Sequence, residues 1–331
     1  MEPRVKILVT GATGFIGSHL CAALHAHGHE LVALVRPQST NKDRVPPAAR
    51  IQLGDLLEPL SLAAACEGVD AVIHCGALVG VTDHEDAYQR VNVGGTISLL
   101  EAAADAGVQR TIILSTGSVL GPTTARLADA STPLAPSSAY ARSKAESERR
   151  SWTLATRIGL PLVVARPPWV YGPSDLRTLG LYRAILRRWP MPWRGSDVSV
   201  HPVHVDDLVK GLEACLLAFP RVVGRTYHLA GPEPMPISRV IPVLAGALGV
   251  RPPPHLPRGP TVLAAKIADR ISATTGVPLP ITTRRLAFFL HANAFDLERE
   301  RQDFGYAPDI HLEQGMQGTI AWCKGQGLLD G

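Results

Sequence analysis

The segment Val9-Thr10-Gly11-Ala12-Thr13-Gly14-Phe15-Ile16-Gly17 joins an apolar, β-branched run to a helical stretch at the start of the chain. Glycine turns tightly and lets its backbone approach a ligand. The helix that follows presents unpaired N–H groups and the positive end of its dipole. A strand, a glycine turn and a helix in that order form the pyrophosphate cradle of a dinucleotide-binding βαβ unit. The segment therefore predicts an α/β fold, a Rossmann-type doubly wound parallel sheet.

The pattern beyond it agrees. Val5–Val9, Leu31–Val35, Arg50–Leu53, Ala71–His74, Thr111–Leu114 and Leu162–Ala165 read as buried strands. Their apolar runs are continuous, as expected where helices cover both faces of a parallel sheet. Helical candidates lie between them at Phe15–His27, Leu60–Cys66, Gly94–Ala106 and Tyr140–Ile158. After about residue 167 prolines cluster and strand signals thin out. We expect residues 1–167 to form the dinucleotide-binding domain, its sheet completed by segments near 200–231. Residues 168–331 should form mostly a smaller, irregular substrate lobe.

Bulk properties narrow the class. A chain of 331 residues with a formal charge of +4 has no run of basic residues longer than a pair, which argues against a nucleic-acid partner. No uninterrupted apolar stretch reaches the length of a membrane span, so no membrane insertion is expected. The N-terminus reads as the approach to a strand and not as a signal peptide. Five cysteines without a Cys-x-x-Cys pair suit a reducing, cytoplasmic setting and no metal. His25, His27 and His29 read as a surface cluster at a helix end, and His204 as the opening of a helix.

Further motifs sharpen the reading. The turn is Gly-x-x-Gly-x-x-Gly preceded by Thr. Gly54-Asp55-Leu56 follows the third strand, and Val72-Ile73-His74-Cys75-Gly76-Ala77 spans the fourth. Then come Asn92-Val93-Gly94-Gly95-Thr96, Arg166-Pro167-Pro168-Trp169-Val170-Tyr171-Gly172-Pro173, His204-Val205-Asp206-Asp207 and Phe295-Asp296-Leu297. In this order, along almost the whole chain, they resemble the extended short-chain dehydrogenase/reductase family of NAD-dependent epimerase/dehydratase type. The resemblance is nearest to members like 3β-hydroxysteroid dehydrogenase and dihydroflavonol reductase. It implies an NAD(P)-dependent enzyme whose cofactor meets Gly11, Thr13, Gly14, Phe15, Ile16 and Gly17 at the turn. Asp55 and Leu56 would lie at the adenine, and Ala77, Ser115 and Pro167 further along. Homodimers in the family pair through two helices, here Thr96–Ala106 and the helix carrying Tyr140, although core packing against the sheet accounts for the Ala- and Leu-rich first helix equally well.

The group beside the adenosine ribose selects the dinucleotide. NAD enzymes place a carboxylate at the end of the second strand. This chain has Arg36 there and no acid before Asp43. A guanidinium pairs with a 2′-phosphate in a fork, so NADP(H) is expected over NAD(H). The alternative is an Arg36 that only faces solvent.

Tyr140-Ala141-Arg142-Ser143-Lys144 has Tyr-x-x-x-Lys spacing, which puts a phenol and an ammonium on one helix face. Hydride transfer between a carbinol and a ketone needs a proton moved on the oxygen. A tyrosine can move it once a neighbouring cation stabilises phenolate. Tyr140 and Lys144 are thus the expected acid/base pair, and both should also meet the cofactor. The resemblance adds a hydroxyl at the end of strand five. Counting back from Val119-Leu120-Gly121 gives Thr116, with Ser115 and Ser118 open through one residue of slip. It also adds Asn92 as support for a proton relay.

Two departures bear on the substrate. Nucleotide-sugar dehydratases of this family carry Asp-Glu after the strand-five hydroxyl, where this chain has Gly117 and Ser118. The diphosphate-clamping arginine before the His-Val-x-Asp motif is Val200 here, with Arg194 and Arg177 as the other cations that could serve a diphosphate. Apolar and aromatic groups are common instead: Trp169, Trp189, Trp193, Leu286, Phe288 and Phe289. The expected substrate is a hydrophobic secondary alcohol or ketone of steroid, terpenoid, flavonoid or polyketide type. Leu78, Gly117, Ser118, Trp169, Val170 and Trp193 are the candidate contacts. A sugar-nucleotide epimerase or reductase is the alternative, and a non-catalytic NADP-binding regulator the remote one.

Overall fold

A computed structural model describes residues 4–80, 85–121, 127–194, 198–275, 283, 286 and 294–329. The first half runs β1 (Lys6–Thr10), α1 (Phe15–Ala26), β2 (Glu30–Val35), β3 (Arg50–Leu53), α2 (Pro59–Cys66), β4 (Ala71–His74), α3 (Glu85–Tyr88), α4 (Thr96–Asp105), β5 (Arg110–Leu114), α5 (Ala139–Ile158) and β6 (Leu162–Ala165). The second half adds β7 (Val170–Tyr171), α6 (Leu179–Leu186), β8 (Ser199–Val200), β9 (Val203–His204), α7 (Val205–Leu217) and β10 (Thr226–Tyr227). It ends with β11 (Met235–Pro236), α8 (Ile237–Leu248), α9 (Arg258–Thr275), α10 (Glu298–Phe304) and α11 (Leu312–Gly325).

Seven parallel strands pair in the order β10-β6-β5-β4-β1-β2-β3, the doubly wound Rossmann arrangement. The continuous apolar runs serve two cores at once, because successive strand residues point to opposite faces. Ile7 and Val9 of β1 enter the layer beneath α1 and α7. Leu8 enters the layer beneath α2, α4 and α5. In β2, Leu31, Ala33 and Val35 join the first layer, and Val32 and Leu34 the second. At the sheet edge β3 departs from expectation: Ile51 and Leu53 are exposed, having a strand on one side only.

A third core belongs to the later residues, with Tyr171, Tyr182, Trp193, Ile241, Leu244 and Met316 among its members. The chain does not stay there. β10 supplies the seventh strand, and Phe295 and Tyr306 return to the layer beneath α1 and α7. No helix among the described residues is long and apolar enough to cross a membrane.

Local signals set several boundaries. Ser138 caps α5, its hydroxyl accepting from the Ala141 amide, and Gly159 closes it in the left-handed conformation. His204 caps α7 through the Asp206 amide at 3.3 Å. The histidine cluster after α1 differs from the expected surface patch. His29 is buried, and both His29 and His27 contact Glu213 of α7, at 3.2 and 2.8 Å. The carboxylate arrives from 184 residues away in sequence, so local pattern could not reveal it. No group of His, Cys, Asp or Glu among the described residues could hold a metal ion.

Buried polar pairs tie the layers together. Arg166, at the end of β6, makes a forked contact with Glu148 of α5, Nη2 to Oε2 at 2.6 Å and Nε to Oε1 at 3.1 Å. Both side chains are almost wholly buried. Removing one partner strands the other charge. Glu148→Ala should therefore cost about 3–5 kcal/mol of stability, read as a lower urea midpoint with an unchanged slope.

Burial also holds three histidines neutral. His74 is pushed down to about 3, with Lys144 adding to the effect of burial. His228 is likewise pushed down to about 3 and His201 to about 4. Below the unfolded value of about 6.5 the unfolded chain takes protons that the folded one refuses, so stability falls on acidification. Glu300, which burial raises to about 7, acts in the opposite direction. With three groups against one, the melting temperature should fall by about 2–5 °C between pH 7 and pH 5.5. A melting temperature that stays level or rises over that interval would contradict this account.

Candidate active site

The chain reverses winding direction between β1 and β4, and the crevice beyond their carboxyl ends is where open α/β sheets bind ligands. The glycine turn fills this place. Gly11 has φ of +67°, and a Cβ there would lie 2.7 Å from the Gly76 amide nitrogen at the tip of β4. A Cβ on Gly17 would lie 2.1 Å from the Gly11 carbonyl oxygen. Neither collision can be relieved by a side-chain rotation. Gly14 opens α1 without any side-chain cap, so the first helical N–H groups are free for a ligand.

A buried hydrogen-bond chain fixes this crevice. The Gly76 amide donates to Thr10 Oγ1 at 3.2 Å, and Thr10 Oγ1 contacts His74 Nδ1 at 2.6 Å. His74 Nε2 reaches Thr96 Oγ1 at 2.9 Å, which donates to the Asn92 carbonyl at 2.7 Å. Since the Thr96 hydroxyl donates onward, His74 must donate from Nε2 and accept at Nδ1. This neutral tautomer is the form its depressed pKa selects.

Arg36 follows β2 directly and is exposed, while Asp55 and Leu56 follow β3 and are half-buried. Asp55 Oδ1 accepts from the Leu57 amide at 2.9 Å. These three, with Gly11, Thr13 and Gly14, lie along the carboxyl edge of β1, β2 and β3. Ile16, Ala77, Ser115, Pro167, Tyr140 and Lys144 instead line a cavity of about 1020 Å³.

Thr116, Trp169 and Val170 are on the same cavity wall. Thr116 Oγ1 lies 3.0 Å from Ser118 Oγ and accepts from the Ser118 amide at 3.2 Å. Ser115 Oγ is buried with no hydrogen-bond partner among the described residues. Asn92 stands behind the cavity, in a π-helical turn (Gln89–Gly95) that precedes α4 and that sequence periodicity does not show. Its carboxamide accepts from the Leu78 amide at 2.7 Å and donates to the Leu78 carbonyl at 3.1 Å and Ser143 Oγ at 3.0 Å. Asn92 therefore pins the loop after β4 to α5, one residue from Lys144.

Four of the candidate substrate contacts do not line the cavity. Trp193 is packed in the third core with its indole N–H on the Pro253 carbonyl at 3.0 Å. Gly117 faces Phe295, and Leu78 and Ser118 are engaged as described. Leu286 does line it, whereas Phe288 and Phe289 lie outside the described residues. Arg177, one of the two arginines the sequence offered as a cation for a diphosphate, lines the cavity and Arg194 does not, while sequence reasoning missed Leu181, Met191 and Leu256 as lining groups. These three come from a helix and two extended segments, and no shared spacing marks them.

Electrostatics differ from the simple expectation for a Tyr–Lys pair. Burial pushes the Tyr140 phenol up to about 12, opposed by the field of Arg177 and aided by that of Tyr88. Burial lowers the Lys144 ammonium to about 8, opposed by Glu148 and Cys75. Lys144 has no hydrogen-bond partner among the described residues. An unpartnered ammonium, the orphaned Ser115 hydroxyl and uncapped helical amides are donors that fit the ribose hydroxyls and phosphates of a nicotinamide dinucleotide.

Comparison with known proteins agrees with this arrangement. The 2-alkyl-3-oxoalkanoate reductase of Stenotrophomonas maltophilia is 30% identical over 95% of this chain and 98% of its own length. The UDP-glucose 4-epimerase of Vibrio cholerae is 26% identical over 95% of this chain and 94% of its own length. Among solved structures, that of gox2253 superposes with a TM-score of 0.84 at 27% identity, covering 98% of this chain and 100% of that one. Residues 7–230 match the sequence model of the NAD dependent epimerase/dehydratase family. The chain accordingly belongs to that family, within the extended short-chain dehydrogenases/reductases, enzymes built around a nicotinamide cofactor.

Proposed function

We propose that this enzyme interconverts a secondary alcohol and a ketone on a hydrophobic small molecule, using NADP(H). The observation that carries the reading is the meeting of Tyr140, Lys144 and Thr116 on the wall of one cavity whose other walls include Trp169, Leu181, Met191, Leu256 and Leu286. Residues 1–167, with β10, would hold the dinucleotide, and most of 168–331 the substrate. Relatives named for ketone reduction support the reaction class. They include the 2-alkyl-3-oxoalkanoate reductases and a farnesyl-dihydroquinoline-oxide ketoreductase of Stigmatella aurantiaca. Dehydration lacks its acid–base pair, since Gly117 and Ser118 follow Thr116.

The bound nicotinamide would supply or take the hydride. The chain's own part is to hold the carbonyl and move the proton. Thr116 Oγ1 would hold the substrate oxygen, and the Tyr140 phenol would pass its proton to that oxygen as charge develops there. A phenol held near 12 is protonated at neutral pH, as giving a proton to a ketone oxygen requires. Lys144 would hold the nicotinamide ribose and, while charged, ease the departure of the phenolic proton. Its charge is half lost near pH 8. Asn92 and Glu148 position α5 and touch no reacting atom.

A second reading, sugar-nucleotide epimerisation, draws on Arg183 and Arg187, which line the cavity and offer cations to a diphosphate. Calorimetry with UDP-glucose separates the two, because micromolar binding would favour epimerisation over ketone reduction.

Tyr140→Phe should lower kcat by about 100-fold or more while leaving dinucleotide affinity within a few-fold. Retained turnover would remove the phenol from the mechanism. The rate of reduction should decline as pH rises past about 8, where Lys144 loses its proton, and an optimum above pH 9 would contradict that role. Arg36→Ala should raise the KM for NADPH by about tenfold and leave that for NADH nearly unchanged. A wild type that favours NADH tenfold would overturn the NADP(H) assignment.

A further inference from the structure

The positive charge of this chain is gathered in two segments. Residues 176–194 hold five arginines and no acid, and residues 251–275 hold four cations and one acid, Asp269. Together they carry +8 where the whole chain carries +4, so everything else is net negative at −4. The fold joins the two segments. The Met191 amide donates to the Pro254 carbonyl at 3.0 Å, and the Leu256 amide donates to the Met191 carbonyl at 3.1 Å. Both segments line the cavity, the first through α6 and the residues after it, the second through Leu256 and through Thr261 in the first turn of α9. Lining residues that are also exposed, among them Gly180, Arg183, Arg187 and Trp189, mark where the cavity opens to solvent.

A helix that faces only water on its outer side is polar there, and α9 is not. Thr261 and Ala265 are buried, while Leu263, Ile267 and Ile271 are 61%, 50% and 45% exposed. Their spacing of four sets them in one row, and Lys266 and Arg270 form the row beside it. Both cations are exposed, and their side chains make no ion pair or hydrogen bond among the described residues. The acid between them, Asp269, is half-buried and accepts from the Thr283 amide at 3.1 Å. At the cavity mouth the Trp189 indole is 52% exposed. Large apolar side chains grouped in water mark an interaction surface.

We propose that this basic and apolar patch docks the protein on an anionic lipid bilayer, with α9 lying in the headgroup region and the cavity mouth beside it. Charge selects the partner. A second copy meeting the patch through the same face would bring +8 against +8, whereas anionic headgroups attract each cation held near them. An acidic protein would use the cations but has no need of an aliphatic row. That row is what enters the acyl boundary, and because it covers one side only, α9 lies in the surface plane and does not span it. Trp189 suits the same depth, since an indole is apolar with one polar N–H. Inside the mouth the apolar side chains of Trp169, Leu181, Leu256 and Leu286 continue the path toward Tyr140. A substrate dissolved in the bilayer would enter along it, a consequence that rests on the hydrophobic-substrate reading above; the docking itself does not.

The test is sedimentation of the full-length protein with vesicles, read as a partition coefficient. Phosphatidylcholine vesicles with about one-third phosphatidylglycerol should bind the wild type at least tenfold better than phosphatidylcholine alone, and about 0.5 M salt should weaken that binding. Lys266→Gln combined with Arg270→Gln should lower binding to the anionic vesicles by about tenfold. Ile267→Gln combined with Ile271→Gln, which leaves the charge unchanged, should lower it by about as much. Leu60→Gln, at an 88% exposed leucine of α2, should leave it unchanged and so separates the patch from general stickiness. An unchanged melting temperature checks that each variant is folded. A wild type without preference for the anionic vesicles would overturn the proposal and leave the patch to another partner, such as an acidic protein. Equal binding by the wild type and both double variants would also overturn it. So would a dimer in sedimentation velocity that the Ile267 and Ile271 double variant dissociates, which would give the face to a second copy. Vesicle binding needs no turnover, so its failure leaves the ketoreductase reading standing, and failure of that reading leaves the docking standing.

Discussion

The crevice of this protein depends on two backbone contacts that no side chain can share. Gly17 sits on the carbonyl of Gly11, and Gly11 sits on the amide of Gly76. The first contact lets α1 start immediately after β1 with its amides open. The second brings the tips of β1 and β4 together where the winding of the sheet reverses. A β-carbon at either position would push the helix or the neighbouring turn away from the crevice. The bridge from Thr10 through His74 to Thr96 then holds the floor in one arrangement, since only one neutral tautomer satisfies all its members.

From that floor the α5 side chains are placed by buried polar pairs. Asn92 ties the loop after β4 to Ser143, and Glu148 ties the middle of α5 to Arg166 at the end of β6. Tyr140 and Lys144 are thereby carried on a helix held at two points along its length. The same pairing sets their electrostatics: Glu148 keeps the Lys144 ammonium from falling further than burial alone would drive it. Positioning and proton affinity therefore share one cause, a helix packed so closely that its charges must be matched inside the protein.

The cavity joins two unlike surfaces. One end is polar and built from strand tips, and the other is apolar and comes from the loop, helix and extended segments after β6. Arg177 lines this cavity with its guanidinium 5.9 Å above the Phe15 ring. Its field opposes the effect of burial on the Tyr140 phenol, while the lysine one turn along α5 shares the same cavity.

Much of the first half was legible in residue order. Strand residues such as Ile7, Leu8 and Val9 must be apolar in succession, because each face of the sheet is covered. The glycine turn, the Tyr140–Lys144 spacing and the helix caps are likewise local, set by geometry within a few residues. The surroundings of those groups were not local. Glu213 beneath His29, Glu148 beside Arg166, Arg177 near Tyr140 and the burial of Trp193 each join segments that only the folded chain brings together. The sequence by itself determined the sheet, the turn and the pair on α5, since short-range sterics and periodicity decide them. Tertiary structure alone decided which cations share the cavity with the phenol and which aromatic residues reach it, because burial and long-range contact set those.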